Sequence, residues 1–495
     1  MTRFELDAGC TFGDSGRMLI GGSPLTMFRL TKGGVRVVEQ IQSGADLAPG
    51  HERLTDRLLE LGAIHPVPLE EGAPTTADVT LVIPAYNADP AAVRRIVCAT
   101  NAASALIIDD ASPTPFPNIE CERADGTPIP TQVIRLVHNG GPGFARQEGV
   151  RLVTTPFVAF VDTDVSVTEG WLERLLAHFT TERTALVAPR VCAATHELRS
   201  GMGDRLQRFE AVRNPLDLGA VRARIRAGTR VSYVPAAALV VRTDAIRAIG
   251  GFSPGMRLGE DVDLVWRLDE AGWTCRYEPG VVVHHTVRSD LGAWVRQRMG
   301  YGESATDLAA RHPGAVPPAQ ASAWSAVSWA LPAIGAPLLG AAVAVGSTVA
   351  LISKLPESAD RPKQALRLAG LGHLHAGRIF AAAITRSWWP IALLLALVSR
   401  RARRVLACAV LIPTVADWWK VRHEIDPLTF AWLRLLDDGA YGAGLWRGAW
   451  ARRSAAALLP DLTSWPRRNR YARSRPGAAP NSGATQRADD GVQQG

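Results

Sequence analysis

The sequence predicts an α/β protein in which a mostly parallel sheet lies between a small N-terminal module and a hydrophobic helical C-terminal region. Strand-length apolar runs alternate with helical patterns from Val79 to Val161, and this alternation is typical of βαβ units. The preceding stretch, 66–76, mixes Pro, Gly, Glu and Thr as linkers do. No Asp, Glu, Lys or Arg occurs from residue 312 to residue 353, which sets the C-terminal part apart.

The chain has 495 residues, which is too long for one ordinary domain. We expect four parts: an N-terminal module (1–74), an α/β domain (75–312), a hydrophobic helical region (313–465) and a disordered tail (466–495). The tail is predicted from its Arg, Pro, Gly, Ala and Gln composition.

Charge and cysteine usage exclude several classes of protein. The formal net charge is +8, and much of the excess lies in two arginine runs, 400–404 and 467–473. No basic run is interleaved with exposed aromatic residues, so we expect no nucleic-acid partner. None of the six cysteines has C-x-x-C spacing, so the usual zinc and disulfide frameworks are not expected.

The N-terminal module carries both turn and helix signals. An apolar run, Met18–Ile20, leads into the turn sequence Gly21–Pro24. Helical spacing follows at Val35–Ile41 and Leu54–Leu61, and Gly62 is a typical helix stop. Residues 1–7 lack the apolar core of a secretory signal, so we expect the α/β domain in the reducing cytoplasm.

The α/β domain begins with four predicted strands separated by helices. The strands are Val79–Ile83, Ala105–Ile108, Gln132–Leu136 and Phe157–Val161, and the helices are Asp89–Thr100 and Gly143–Val153. Ligands of such sheets bind at the carboxyl ends of the strands. The polar motifs of this sequence fall at those ends.

The segment Asp162-Thr163-Asp164 follows the fourth strand. Carboxylates at i and i+2 lie on the same side of an extended chain. Two such carboxylates form half of a site for Mg²⁺ or Mn²⁺, with substrate phosphates and water supplying the other ligands. A lone D-x-D is common at strand ends, so the neighbouring motifs decide its meaning.

Three other motifs precede the D-x-D in order. They are the strand and turn Val79–Asn87, the strand end Ile107–Ser112 and the glycine-rich loop His138–Gly149. The order and spacing over about 200 residues resemble glycosyltransferase family 2. The resemblance implies a GT-A fold, a nucleotide-activated sugar donor and a divalent metal.

The resemblance also implies roles at matching positions. Asp109 and Asp110 would lie at the nucleotide base and ribose, Asn139 and Arg146 against the nucleotide, and Asp164 on the metal. Asp162 would contact the ribose or sugar and share the metal site. The implied nucleotide-sugar-binding set is Pro84, Asn87, Asp109, Asp110, Asn139, Gly140, Arg146 and Asp162.

The segment Met256–Leu268 resembles the Gly-Glu-Asp-x-Asp-Leu segment of the same family. An attacking acceptor hydroxyl needs a base, and we predict Asp261 in that role. Glu260 and Asp263 would orient the base or the acceptor. Direct attack would invert the sugar carbon and give a β-linked product from an α-linked donor. The alternative is an acidic helix N-terminus stabilised by the helix dipole.

Two pairs of histidines were candidates for metal binding. In many relatives a histidine after the strand Val281–Val283 completes the metal shell, and we favour His285 over His284. His373 and His375 lack a nearby partner carboxylate and are predicted to be a solvated pair. The stretch Arg296–Tyr301 only loosely echoes the Gln-x-x-Arg-Trp motif of processive synthases, so a long-chain synthase is not expected.

The C-terminal region predicts membrane association. Trp324–Ile352 is long enough to cross a bilayer, with Pro332 and Pro337 as kinks. Ser387–Ser399 and Val405–Ala416 are shorter and resemble interfacial or re-entrant helices. We therefore expect a cell-membrane protein, multi-pass or on the inner leaflet, whose sheet domain is cytoplasmic. The alternative is a buried helical core.

The whole architecture resembles the mycofactocin-system glycosyltransferases of actinobacteria. The resemblance rests on Gly21–Leu25, Arg29–Thr31, the motifs above, Val281–His285 and the later Tyr301-Gly302. It implies UDP-glucose as donor and a peptide-derived redox cofactor as acceptor, giving a product with one or several β-linked sugars. It also implies that the N-terminal module is winged-helix-like and holds a peptide.

Three alternatives stay open. The first is a family 2 transferase that acts on a cell-envelope lipid or polysaccharide. The second is a non-catalytic membrane scaffold, which the intact carboxylates Asp162, Asp164 and Asp261 disfavour. The third is a nucleotidyltransferase, which would need a Gly-x-Gly-x-Arg-Leu loop where this chain has Pro84–Asn87.

Overall fold

A computed structural model describes residues 3–13, 16–47, 50–123, 125–194, 201–355 and 360–462. The tail predicted for residues 466–495 lies outside the described residues.

The N-terminal module combines short strands with two helices. Its elements are β1 Phe4–Leu6, β2 Thr11–Gly13, β3 Met18–Gly21, β4 Thr26–Arg29, α1 Lys32–Ser43, α2 Glu52–Glu60 and β5 Ile64–Pro66. Strands β2, β3 and β4 form an antiparallel sheet, and β1 pairs with β5. Leu19, Val37 and Leu58 are fully buried between sheet and helices. The two predicted helices are confirmed, and the winged-helix-like character of the module stays a prediction.

The domain 75–312 is built on a nine-stranded sheet. Its strands are β6 Val79–Ala85, β7 Ser104–Asp109, β8 Thr131–Arg135, β9 Phe157–Val161, β10 Val165–Ser166, β11 Thr184–Ala193, β12 Ala223–Ile225, β13 Ala238–Arg242 and β14 Thr274–His285. The order is β10-β14-β11-β13-β9-β6-β7-β8, and β12 pairs with β14. Strands β9, β6, β7 and β8 run parallel, whereas β13 is antiparallel to both neighbours.

Helices cover both faces of this sheet and close two apolar cores. They are α3 Pro90–Thr100, α4 Pro142–Leu152, α5 Trp171–Leu176, α6 Met202–Val212, α7 Thr243–Ala248, α8 Glu260–Glu270 and α9 Leu291–Arg311. All four predicted strands and both predicted helices of the first half are confirmed. Strands β6, β7 and β9 are buried on both faces, as expected for central parallel strands.

Ion pairs fasten the N-terminal module to the sheet domain. Arg222 bridges Glu5 of the module (2.7 Å) and Glu278 of β14 (2.6 Å). Glu278 is buried and also bonds His178 at 2.9 Å. Burial raises the pKa of the Glu278 carboxyl, but the His178 hydrogen bond and the charges of Arg222 and His178 outweigh burial and lower it to about 2. The module is therefore linked to the first half of β14, seven residues before the end of that strand at residue 285.

This junction predicts a pH-dependent loss of stability. Glu278→Gln should lower the free energy of unfolding at pH 7 by about 3 kcal/mol, since it breaks a buried ion pair. The pKa of Glu278 is lowered on folding, so its stabilisation is present above its ordinary pKa and is lost as the pH falls. Urea unfolding should show the wild-type protein and the variant converging from pH 5 to pH 3.

Glu5→Gln is the matched control, because it removes the other, exposed partner of Arg222. Its cost should stay below about 1 kcal/mol. A constant difference between wild type and Glu278→Gln across that pH range would contradict the assignment.

The C-terminal region consists of helices. They are α10 Ala323–Ala333, α11 Pro337–Ile352, α12 Arg361–Ala365, α13 Leu371–Arg386, α14 Trp389–Val398, α15 Arg400–Lys420 and α16 Pro427–Ala451. In the described part of the chain no single helix is long and apolar enough to cross a membrane. By length and composition, one pair bent by 86° would pass that test, namely 361–386 with 389–398.

The predicted span Trp324–Ile352 is wrong as a single helix. The chain breaks between α10 and α11 at Gly335, whose φ of 97° is unfavourable for other residues. Gly340 then allows close packing of the two helices, because a Cβ there would lie 2.6 Å from the carbonyl oxygen of Ser328. The prediction of a solvated His373 is also wrong. His373 is buried, and its ring bonds the hydroxyls of Ser325 and Ser347.

Helix α16 packs against α9, which links the C-terminal region to the sheet domain. A Cβ on Gly302 of α9 would collide with the carbonyl oxygen of Tyr441, and one on Gly444 of α16 would collide with that of Met299. Glycines thus permit backbone-to-backbone contact between these helices. The same helix α9 begins a few residues after the end of β14.

Candidate active site

The predicted polar motifs meet at one edge of the sheet. Strands β6, β7 and β9 are parallel neighbours, so their carboxyl ends share an edge. Strand β13 runs antiparallel to β9, and its start therefore lies at the same edge. The backbone N–H of Asp162 donates to the carbonyl of Ala237 (2.9 Å), and the N–H of Ala236 donates to the Asp261 carboxylate (3.2 Å). The D-x-D segment and the predicted base are therefore attached to consecutive residues.

Asp164 lies beside His285. The imidazole Nε2 is 3.2 Å from the Asp164 carboxylate, whose side chain is 50% exposed. Pairing of β10 with the last two residues of β14 produces this contact, because His285 lies opposite Val165. Burial raises the pKa of Asp164, but the His285 hydrogen bond and charge outweigh it and the net shift is downward. The structure thus places His285, rather than His284, at the predicted metal position.

Asp162 takes part in a buried ion-pair chain. Arg146 of α4 lies between Asp162 (2.5 Å) and Glu260 (2.8 Å), and its side chain is only 3% exposed. The prediction that Arg146 contacts the nucleotide is therefore corrected: its guanidinium lies beneath the site and holds two carboxylates. Arg146 also interacts electrostatically with Asp261. These two ion pairs connect the D-x-D segment to the start of α8.

Asp109 is fully buried at the end of β7. Its carboxylate accepts the backbone N–H groups of Ser112 (2.9 Å) and Phe116 (3.1 Å) and is paired with Arg135 (2.7 Å). Burial raises the pKa of Asp109, but the bonds from Ser112 and the other two groups outweigh it and lower that pKa. Asp109 shapes the loop after β7, and its predicted contact with the base stays a prediction.

Asp110 holds the glycine-rich loop. Its two carboxylate oxygens accept the N–H groups of Gly140 and Gly141, each at 2.8 Å. The side-chain amide of Asn139 donates to the backbone carbonyl of Asp110 at 3.2 Å. Gly141 has a φ of 88° just before α4 begins, which favours glycine. Asp110, Asn139 and Gly140 are therefore brought together, and they hydrogen-bond to one another. Their predicted contacts with the nucleotide stay a prediction.

The turn after β6 exposes an aromatic ring. Pro84 lies within β6, and Asn87, with a φ of 50°, donates its N–H to the Ser112 hydroxyl at 2.9 Å. Between them Tyr86 is 54% exposed. The site prediction omitted Tyr86, although the Pro-Ala-Tyr-Asn sequence contained it. An exposed ring at this edge offers a stacking surface for a base.

Asp261 lies in the first turn of α8. Its carboxylate accepts N–H groups from Val262 (2.8 Å) and Ala236 (3.2 Å) and has no ion pair among the described contacts. Burial raises its pKa above the ordinary value of an aspartate. Burial and the neighbouring Asp261 charge likewise raise the pKa of Glu260 to about 7. Raised carboxyl pKa values suit general-base chemistry near neutral pH.

The other acidic residues of α8 have structural partners. Glu260 is buried on Arg146, so its predicted catalytic role is corrected to that of a positioning group. Asp263 bonds Ser253 (2.6 Å), Arg267 (2.7 Å) and His312 (3.0 Å) and is 1% exposed, so it orients neither base nor acceptor. These contacts leave Asp261 as the carboxylate of this helix that remains available.

Helix α9 contributes residues that the site prediction missed. Arg298 is buried, pairs with Glu210 of α6 and lies 3.1 Å from Asp437 of α16. It also lies over the ring of Tyr301, whose pKa is raised by burial. In the sequence, only the partial match of Arg296–Tyr301 to the Gln-x-x-Arg-Trp motif pointed to these residues.

The donor set at the D-x-D fits a metal that takes its remaining ligands from substrate. Among the residues that the structure describes, no group of three His, Cys, Asp or Glu side chains is arranged to hold an ion. Asp164 and His285 supply one oxygen and one nitrogen donor. The carboxylate of Asp162 is directed to Arg146 instead.

The chain is similar to a known family and to several known proteins. The model of the family "Glycosyl transferase family 2" matches residues 80–242. The chain is 29% identical over 205 residues to the succinoglycan biosynthesis protein ExoU of Rhizobium meliloti, covering 39% of this chain and 57% of that protein. A solved mannosyltransferase from Pyrobaculum calidifontis is 13% identical, with a TM-score of 0.41 and coverage of 78% of this chain and 90% of that one.

One curated similarity extends over nearly the whole chain. The pre-mycofactocin glycosyltransferase of Mycobacterium tuberculosis, from strains CDC 1551 and H37Rv, is 37% identical over 468 residues. The alignment covers 90% of this chain and 95% of that protein. The protein is therefore a glycosyltransferase with a GT-A domain, and it belongs to family 2 and to the mycofactocin-system glycosyltransferases within it.

Proposed function

We propose that the enzyme transfers a sugar, glucose from UDP-glucose, to a peptide-derived redox cofactor with inversion at the sugar carbon. The observation that carries this proposal is the continuous network from Asp261 through Arg146 and Asp162 to Asp164 and His285. We infer that Asp261 acts as the base and that Asp164 and His285 bind the metal at the same edge of the sheet. A metal-dependent single-displacement transferase uses both groups.

The reaction uses few groups of the chain. The acceptor oxygen attacks the anomeric carbon, and its proton passes to the Asp261 carboxylate. The bond from that carbon to the donor phosphate breaks, and the electron pair stays on the phosphate oxygen. Arg146 holds Asp162 and Glu260 in place beneath the reacting atoms. Attack from the face opposite the leaving group gives inversion.

A divalent ion would be held by Asp164 and His285, with Asp162 nearby. Carboxylate and imidazole together suit Mn²⁺, whereas Mg²⁺ prefers oxygen donors. When bound, the ion neutralises diphosphate charge. Tyr86 and the loop at Gly140 would receive the base and the phosphates.

The acceptor is proposed from the name of the relative from Mycobacterium tuberculosis. Arg222 links Glu5 of the N-terminal module to Glu278 of β14. We propose that this module, attached to the sheet domain, holds the peptide part of the acceptor.

The proposed function is tested with purified protein, a panel of UDP- and GDP-sugars and a cofactor-type acceptor, with products identified by mass. We expect a hexose adduct with UDP-glucose in Mn²⁺ or Mg²⁺ and none in EDTA. Transfer only to polyprenyl or glycolipid acceptors would favour the cell-envelope alternative. The absence of both transfer and sugar-nucleotide hydrolysis would favour the non-catalytic scaffold.

We also propose that the C-terminal helices hold the enzyme on the cytoplasmic face of the cell membrane. Large apolar side chains are exposed on several of these helices, among them Leu338 (85%), Leu397 (77%), Val398 (84%) and Ile412 (65%). Arginines 400, 401, 403 and 404 begin two residues after Val398. Apolar tips next to arginines suit a bilayer that contains anionic lipid.

A double substitution, Leu397→Asp with Val398→Asp, should weaken binding to phosphatidylglycerol-containing vesicles by ~10-fold or more, because two exposed apolar side chains leave the bilayer boundary. Vesicle flotation measures this effect. Val137→Asp is the control, since Val137 is 98% exposed but lies in the sheet domain. Equal flotation of all three proteins would contradict the proposal.

A further inference from the structure

A short segment joins the end of β14 to the start of α9 and is fixed at both ends. The N–H of Thr286 donates to the carbonyl oxygen of Asp164 at 2.8 Å. Val287 is buried, and Asp290 caps the first turn of α9. Arg288, between these anchors, is exposed. Its backbone position is therefore set relative to the D-x-D segment while its side chain faces solvent.

The charge of Arg288 is free for a ligand. None of the ion pairs among the described residues includes Arg288, whereas Arg146 and Arg298 are both buried in pairs with carboxylates. The Arg288 charge acts on both Asp164 and His285, alongside the larger effects of burial and of their mutual hydrogen bond. The guanidinium of Arg288, which has no ion pair among the described residues, therefore lies close to Asp164 and His285.

Arg288 and His285 also share a small cavity. It has a volume of about 10 Å³ and is completed by residues of α6, α9 and the segment after α6, including Tyr301. The two side chains consequently line a common space beside the D-x-D segment. A substrate phosphate that lies close to His285 could therefore also contact Arg288.

We propose that Arg288 is a catalytic residue that binds the diphosphate of the sugar nucleotide and stabilises the charge developing on it as the glycosidic bond breaks. This inference rests on the proposed function. The departing diphosphate gains one negative charge when the electron pair stays on its oxygen. A planar guanidinium can donate two parallel hydrogen bonds to phosphate oxygens and holds that geometry better than an ammonium group.

The test compares Arg288→Ala, Arg288→Lys and the control Arg296→Ala by steady-state kinetics and by calorimetric titration with UDP in Mn²⁺. Arg296 is a neighbouring arginine with a 75% exposed side chain, and its ion-pair partner among the described residues is the exposed Asp290 at 4.0 Å. Arg288→Ala should lower kcat by ~100-fold, as for removal of one preorganised group that stabilises transition-state charge. UDP affinity should fall ~10-fold. Arg288→Lys should recover part of both losses, and Arg296→Ala should match the wild type.

The readouts separate this inference from the proposed function. A merely structural role would lower the melting temperature, whereas exposed Arg288 should leave it unchanged. A kcat and a UDP affinity of Arg288→Ala within ~3-fold of wild type, where losing one phosphate contact should cost far more, would overturn the inference. Wild-type protein that binds UDP but transfers no sugar would overturn the proposed function, and the UDP affinity of Arg288→Ala would still decide the inference. Wild-type protein that binds neither UDP nor GDP would overturn both.

Discussion

Asp261→Asn should lower kcat by ~10³-fold, within the range for loss of a general base, with little change in melting temperature. The carboxylate of Asp261 is the acidic group of α8 that is not used in an ion pair, and burial raises its pKa. An amide keeps the shape of the side chain but cannot take the acceptor proton. UDP binding should persist, because Asp261 contacts only backbone N–H groups of this chain.

Asp244→Asn is the matched control for this substitution. Asp244 is also the second residue of a helix, and its carboxylate accepts the N–H of the next residue at 2.7 Å, as that of Asp261 does at 2.8 Å. It lies away from the predicted site and should retain full activity. The base must be unprotonated, so kcat/KM of the wild type should fall as the pH drops through the raised pKa of Asp261. Activity of Asp261→Asn within ~10-fold of wild type, well short of a general-base contribution, would remove Asp261 as the base.

Asp164→Asn should abolish metal-dependent transfer, with a loss of ~10³-fold that corresponds to several kcal/mol of charge stabilisation. The folded state should tolerate the change, because the side chain is half exposed and its ion-pair partner is His285. Mn²⁺ titration in the presence of UDP, followed by electron paramagnetic resonance, measures the site directly. We expect weaker Mn²⁺ binding in the variant.

The adjacent histidines provide the matched comparison. His285→Ala should lose activity and Mn²⁺ affinity, whereas His284→Ala should stay close to wild type, since only His285 lies within 3.2 Å of Asp164. Equal effects of the two substitutions would contradict the assignment of His285. Asp162→Asn should behave differently from Asp164→Asn by lowering the melting temperature, because it leaves buried Arg146 with one partner fewer.

Much of the fold was predictable because its signals are local. The apolar runs of β6, β7 and β9 are continuous in sequence, as buried parallel strands require. The two amphipathic patterns in the N-terminal module correspond to α1 and α2. The order of motifs at the strand ends was sufficient to indicate the family that the near full-length similarity establishes.

The C-terminal region was harder to predict because composition does not report where a helix ends. Trp324–Ile352 is apolar throughout, yet Gly335 and the prolines around it divide it into two helices. His373 is polar in an apolar stretch, and its partners Ser325 and Ser347 lie 48 and 26 positions away. Hydrophobic periodicity contains no information about such pairings.

The sequence by itself determined the fold class and the location of the D-x-D segment and of α8. Only the tertiary structure decided which of the charged residues form ion pairs with one another. Arg146 and Glu260 are 114 positions apart, yet they share a buried ion pair. Burial makes an unpaired charge costly, so long-range partners neutralise most buried carboxylates of the site. Asp261 has no ion pair among the described contacts, and Asp164 is half exposed beside His285.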